Sequence, residues 1–338
     1  MNQEEIIGTM NYWKNIFLSD TDERKEIIES AFQHNKWFTP ENILLMLENI
    51  SSYFLDKKLL TDFVKKYENN GWNENGKTVG LIMAGNIPLV GFHDLLCVLL
   101  SGNNALIKLS SKDKILLPWL AKKLLEINPA FESKIIFAEV LKDMDAVIAT
   151  GGENAGRYFD FYFGKYPHLF RGNRGSVAVL NGDEKNRDLK ELGEDIFSYF
   201  GLGCRNVSKL LLPRNFNFDK FFKGISSFKK VEEHTKYKNN FDYNLTLFLL
   251  NKTPHIHNEF LILAENKEIV SPVSVLHYEF YENENHLREI ILRDKEKLQC
   301  VVGKNFQAFG KTQSPQLADF ADGIDTFSWL NKMIAQKN

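Results

Sequence analysis

Between residues 78 and 200, short apolar runs alternate with helical stretches, and that alternation leaves few folds open. Residues 78–84 (TVGLIMA), 105–109, 135–140, 145–150 (DAVIAT) and 176–180 (SVAVL) read as buried strands. Residues 89–100 and 113–126, a segment opened by the glycines of 151–156, and residues 187–200 read as helices. Strands joined by helices in this way pair in parallel, so the pattern predicts an α/β fold whose parallel sheet is covered by helices on both faces. Ligands of such sheets bind beyond the carboxyl ends of the strands. The turns at Asn86, Lys108 and Gly151 fall there.

Either side of this stretch the pattern changes. Residues 1–76 read as an N-terminal helical region packed on the following domain, with Thr39 as cap and Pro40 in the first turn of one helix. Asn69-Asn70-Gly71 and Asn73-Glu74-Asn75-Gly76 punctuate its end. Residues 77–200 form one expected domain and 201–308 a second, with strands at 207–212, 245–250, 260–264, 274–280 and 298–302 and a helix near 285–297. Residues 309–338 read as a loop-rich tail.

Bulk properties exclude several classes. A chain of 338 residues with a formal charge of −2 and no long basic run does not read as a nucleic-acid binder. Cys97, Cys204 and Cys300 form no CxxC pair, so neither a disulfide framework nor a metal site is expected. The start, MNQEEIIGTM, lacks a charged-then-apolar signal pattern, and no uncharged run reaches the roughly 20 residues of a membrane span. A cytoplasmic protein is expected.

The stretch SYFGLGCRNVSKLLLP, residues 198–213, is the sharpest candidate for chemistry. Gly201 and Gly203 frame Cys204 between a helix and a strand, where backbone N–H groups favour a thiolate and can hold an oxyanion. The other reading of such a cysteine is a small buried hydrophobe, and Cys97 and Cys300, within apolar runs, read that way. Elsewhere each residue also has two readings. Asn86 can donate to an oxyanion or close a turn. Lys108 can hold a ribose or phosphate, or be solvated at a strand end. The loop TGGENAG, 150–156, suits phosphates at a helix N-terminus or is a tight turn. Glu268 is a base, a ribose ligand or a surface acid. His255 and His257 read as surface residues of a strand, and no histidine has metal spacing.

Taken together, the Asn-Ile-Pro turn at Asn86, Ile-Lys-Leu-Ser at Lys108, Thr-Gly-Gly-x-x-x-Gly, Gly-Leu-Gly-Cys at Cys204 and Glu-x-x-x-Pro-Val at Glu268 resemble the aldehyde dehydrogenase superfamily in order and interval. GNIPLVGFHDLL, GLGCRNVSKLLLP and FGKTQSPQLADFADGIDT look most like its acyl-CoA reductases of the bioluminescence fatty-acid-reductase type. The resemblance implies two Rossmann-like lobes, a dinucleotide-binding domain at 77–200 and a cysteine-bearing catalytic domain at 201–308. It assigns Cys204 as nucleophile, with its N–H and Asn86 as oxyanion donors. Lys108, Ser110, Thr150, Gly151, Gly152, Gly156 and Glu268 become cofactor-binding residues.

One departure is informative. Hydrolytic members carry a water-activating glutamate where this chain has Arg171-Gly172-Asn173-Arg174-Gly175, with no acid. A thiol is then a better acyl acceptor than water. Arg171 and Arg174 read as phosphate ligands or as structural arginines. The implied function is reduction of an acyl-CoA, fatty acyl by resemblance, to an aldehyde through a cysteinyl thioester, with NADPH as reductant and NADH as its alternative. Oxidative aldehyde dehydrogenation and non-catalytic cofactor binding are the competing functions. A homo-oligomer or an acyl-activating enzyme partner is compatible with all three.

Overall fold

The computed structural model describes residues 1–67 and 76–335, so the asparagine-rich punctuation at 69–75 lies outside the described residues. The chain divides into two compact units, residues 1–172 with 315–338, and residues 173–314.

The first unit begins with four helices, α1 (Gln3–Leu18), α2 (Asp22–His34), α3 (Pro40–Tyr53) and α4 (Lys57–Lys65). Each starts at a capping side chain; Thr39 accepts from the Asn42 N–H at 3.4 Å with Pro40 in the first turn. Then follow β1 (Thr78–Ile82), α5 (Phe92–Leu100), β2 (Asn104–Lys108), α6 (Leu116–Ile127), β3 (Ile135–Phe137), β4 (Ala146–Thr150), α7 (Glu153–Phe163) and β5 (His168–Arg171). The strands form one parallel sheet in the order β3-β2-β1-β4-β5. Trp13, Phe17 and Phe92 pack ring against ring, and the Trp13 indole donates to the Leu120 carbonyl at 2.8 Å. The helical region and the sheet therefore share one core.

β5 was not expected from sequence. It is four residues at the sheet edge, too short and too polar to give a period-2 signal. Nor is the C-terminal segment all loop: Thr326–Ala335 is a helix whose Phe327 and Leu330 join the core of this unit.

The second unit contains β6 (Gly175–Val179), α8 (Asn186–Phe197), β7 (Val207–Pro213), α9 (Phe218–Gly224), α10 (Thr235–Leu250), β8 (Ile256–His257), β9 (Ile262–Glu265), β10 (Val275–Tyr281), α11 (Glu284–Asp294) and β11 (Leu298–Val302). Its sheet runs β11-β6-β7-β10-β9-β8 and is parallel except for β8. β6, read from sequence with α8 as the end of residues 77–200, pairs with β7 and β11, and the compact units divide after Gly172.

The strand expected at 245–250 is the end of α10 instead. LTLFLL reads locally as a strand, but Tyr237, Phe241 and Asn244 are buried at helical spacing upstream, and His234 caps the helix. His255 and His257 flank Ile256 at the exposed edge, their rings stacked.

Candidate active site

Cys204 sits in a tight turn at the head of β7. The Asn206 N–H donates to the Gly203 carbonyl at 3.0 Å, closing residues 203–206 with Cys204 as the first central residue. The turn is fixed by Asn206, which is 1% exposed. Its side-chain oxygen accepts from the Gly203 N–H at 2.9 Å. Its amide donates to the carbonyls of Ser198 at 2.8 Å and Asp195 at 3.0 Å, groups that the end of α8 leaves without helical partners. The chain reaches this turn through three consecutive left-handed residues, Tyr199 (φ 51°), Phe200 (φ 57°) and Gly201 (φ 76°). Ser176, at the head of β6, donates to the Cys204 carbonyl at 3.0 Å.

All three cysteines are thiols; Cys97 and Cys300 are buried, as read from sequence, and Cys204 is half-buried. Cys97 is inert: burial first, then Asp94, pushes its thiol far up. Arg205, next to Cys204, points a guanidinium at the Cys300 sulfur at 3.4 Å.

Glu268 lies in the same unit, in the connection from β9 to β10. Ser208, second in β7, donates to the neighbouring Ile269 carbonyl at 2.8 Å. The Cys204 turn and the Glu268 segment are thus tied to the first residues of the neighbouring strands β6 and β7. The Glu268 carboxylate is 70% exposed and 3.7 Å from the Lys297 ammonium.

The remaining candidates gather in the first unit. Asn86 follows β1, Lys108 ends β2 and Thr150 ends β4, and these are adjacent parallel strands. A Cβ on Gly85 would lie 2.5 Å from the Ser110 hydroxyl, so the turn before Asn86 and the loop after Lys108 touch, and only glycine fits. Ser110 itself accepts from the Lys112 N–H at 3.2 Å. Gly151 and Gly152 lead into α7, and the side chains of 153–155 lie outside the described residues. Gly156 is inside that helix, where a Cβ would meet the Phe170 ring at 3.2 Å; close packing of α7 on β5 accounts for it.

The Asn86 turn has its own anchor. Leu89 is left-handed (φ 52°), and its N–H donates to Asp113 at 2.8 Å. Asp113 is 7% exposed, its other oxygen has no hydrogen-bond partner, and burial raises its pKa to about 6. In the same unit a cavity of about 620 Å³ is lined by Ile82, Lys108, Lys142, Tyr158, Tyr162 and Lys165 among others. Of the two arginines left open, Arg171 is structural: 3% exposed, it meets Asp94 bidentately at 2.7 and 3.0 Å and donates to Thr326. Arg174 donates to the Leu298 carbonyl at 3.0 Å.

Sequence reasoning missed Asn206, Asp113 and Ser176, all polar groups that serve backbone rather than ligand. A trace was available for Lys209, a lone charge inside the strand run VSKLLLP. It is 0% exposed and pairs with Glu279 at 2.6 Å. Burial would raise the Glu279 pKa, but Arg293 and Lys209 outweigh it and hold the carboxyl at about 2.

Residues 15–215, well over half of the chain and including the Asn86, Lys108, Gly151 and Cys204 motifs, match the family described as acyl-CoA reductase (LuxC). The chain belongs to the LuxC acyl-CoA reductase family. It is an aldehyde-forming oxidoreductase.

The fold is that of the aldehyde dehydrogenases. An NAD-dependent aldehyde dehydrogenase from Sinorhizobium meliloti superposes with a TM-score of 0.64 at 10% identity, covering 92% of this chain and 72% of that one. A Mycobacterium tuberculosis aldehyde dehydrogenase complexed with NAD+ gives 0.62 at 13% identity over 86% and 71%. The NAD+ complex of aldehyde dehydrogenase from Bacillus cereus gives 0.62 at 11% identity over 89% and 72%. No curated protein matches the sequence. Among the described residues no cluster of histidine, cysteine or acidic side chains could hold a metal, and no helix is long and apolar enough to cross a membrane.

Proposed function

We propose that this LuxC-family protein reduces an acyl-CoA, fatty acyl by resemblance, to an aldehyde with NADPH, through a thioester on Cys204. The carrying observation is the half-buried thiol held in a locked turn at the head of β7. The Cys204 thiolate attacks the acyl carbonyl, a carbon–sulfur bond forms, and the coenzyme A thiolate leaves. The resemblance gives the Cys204 N–H and the Asn86 amide as the oxyanion donors for that exchange. Hydride is what the nicotinamide supplies when bound. The protein's remaining part is to keep water from the thioester. The 171–175 segment offers no carboxylate to activate water, and its Arg171 is occupied by Asp94.

The residues fit the cofactor. The cavity is large enough for the adenosine portion, its tyrosines suit an adenine ring, and Lys108, Lys142 and Lys165 outnumber its one acid, Asp143. That excess of positive charge favours a 2′-phosphate, hence NADPH over NADH. On this reading Lys108, Ser110, Thr150, Gly151 and Gly152 hold the adenosine and phosphates in the dinucleotide-binding unit. Gly156 acts only through the packing of α7. Glu268, in the catalytic unit, holds the nicotinamide ribose.

The test is NADPH consumption across a series of acyl-CoAs, with radiolabelled acyl-CoA to trap the thioester. Cys204→Ala should lose both label and turnover. Retained turnover removes the cysteine from the mechanism, and acid formed from aldehyde without coenzyme A would favour the oxidative reaction instead. Asn86→Ala should slow acylation about 10²-fold, the usual size for one oxyanion donor.

A further inference from the structure

Three successive carbonyls in the connection from β9 to β10 are each bonded by a side chain of the sheet. Lys209 donates to the Lys267 carbonyl at 2.7 Å. His277 Nδ1 meets the Glu268 carbonyl at 2.9 Å, and Ser208 Oγ donates to the Ile269 carbonyl at 2.8 Å. A carbonyl only accepts, so Nδ1 of His277 carries the proton. Burial lowers the pKa of this imidazole, the bond to the Glu268 carbonyl works against it, and the Lys209 charge lowers it further.

Carbonyls of surface connections ordinarily bond to water. Here two of the three donors are buried: Lys209 is 0% and His277 6% exposed. They are cross-strand partners on β7 and β10, and Lys209 is held in turn by Glu279. Ionic groups buried in this way are often no more stabilising than apolar residues of the same volume, so stability alone is a poor account of them. What they fix is the backbone on both sides of Glu268, relative to the strand that Cys204 heads. The Glu268 side chain itself is left pointing outward.

We propose that Ser208, Lys209 and His277 are positioning residues that hold Glu268, through the carbonyls of residues 267–269, in the pose that receives the nicotinamide ribose. This rests on the proposed ribose role of Glu268. Lys209 acts furthest from solvent, but its replacement would leave Glu279 to Arg293 alone and remove a buried charge from the sheet, which endangers folding. Ser208→Ala, His277→Ala and His277→Asn test the idea instead, since asparagine can place an amide donor where Nδ1 lies.

Four quantities separate positioning from general support: affinity for NADPH, affinity for 2′,5′-ADP (which lacks the nicotinamide ribose), KM for each substrate, and the rate of Cys204 acylation without reductant. Ser208→Ala and His277→Ala should weaken NADPH binding and raise its KM about three- to tenfold, the size of one lost hydrogen bond. Affinity for 2′,5′-ADP and the acylation rate should stay within twofold, and His277→Asn should recover most of the loss. Glu268→Ala is the control. If it weakens NADPH binding while Ser208→Ala and His277→Ala do not, the positioning role is wrong and the ribose role stands. Equal slowing of acylation in these variants reduces the three residues to structural support and also overturns the proposal. An inert Glu268→Ala overturns the ribose role itself, and the positioning with it.

Discussion

The Asn86 turn and the Cys204 turn solve one problem with different chemistry. Each bends through left-handed backbone that an ordinary side chain resists, at Leu89 in the first unit and at Tyr199 and Phe200 in the second. Each is anchored by a buried polar side chain from outside the strained residues. In the Cys204 turn that group is Asn206, neutral, which spends both ends of its amide on backbone. In the Asn86 turn it is Asp113, titratable, which bonds one N–H and leaves its second oxygen bare. The thiol's turn is therefore insulated from pH, and the amide's turn is not.

The largest effect that could break this comparison is the loss of Asn206. Asn206→Ala takes this partner from the buried Asp195 carbonyl and from the half-buried Gly203 N–H and Ser198 carbonyl, at about 1–3 kcal/mol for each group left unsatisfied. A destabilisation of about 4 kcal/mol in urea unfolding is expected, with acylation of Cys204 slowed at least tenfold. A loss below about 1 kcal/mol would mean that the turn is set by its glycines and not by Asn206.

Next in size is the pH response of Asp113. Its pKa is raised from the ordinary 3.8 to about 6, so the folded protein holds a proton that the unfolded chain gives up more readily. The stability this represents is complete below about pH 4 and is lost as pH rises through about 6, amounting to about 3 kcal/mol. The Leu89 N–H bond opposes it first and the nearby His34 second, both lowering the Asp113 pKa. Asp113→Asn should remove this component, flattening urea stability between pH 4 and 7. An unchanged pH profile would refute the assignment. No such change is expected from Asn206→Ala, which carries no titrating group.

How much of this was legible in the sequence follows from what each residue bonds to. The parallel sheets could be read because buried strands are long apolar runs and Gly-Leu-Gly-Cys marks a turn. Residues 245–250 misled because a six-residue run with five apolar side chains fits either period, and the deciding burial lay upstream at Tyr237 and Phe241. The assignment of β6 to the second sheet was not readable, because strand order is a long-range choice between partners of equal local pattern. Asn206 and Asp113 were invisible for another reason. Their partners are main-chain groups, which carry no residue identity, so no pattern of residue types announces them. Gly156 carries a second account of its identity, because a Cβ there would meet the Phe170 ring at 3.2 Å.

The smallest effect sharpens the comparison most, because it separates strain from function. Gly201 (φ 76°) and Gly182 (φ 93°) are both left-handed glycines of the second unit. An added Cβ would lie 3.4 Å from the Ile196 carbonyl oxygen at Gly201 and meet nothing within 4 Å at Gly182. Alanine at either site therefore costs mainly the left-handed backbone, about 1–2 kcal/mol. Equal losses of stability are expected from Gly201→Ala and Gly182→Ala. Their catalytic effects should differ, because only Gly201 belongs to the left-handed run that delivers Cys204. If strain there is relieved by shifting the turn, Gly201→Ala slows acylation severalfold while Gly182→Ala leaves it unchanged. Equal rates would show that Asn206 and Ser176 hold the thiol against a kilocalorie of local strain, and that the left-handed run merely leads the chain there.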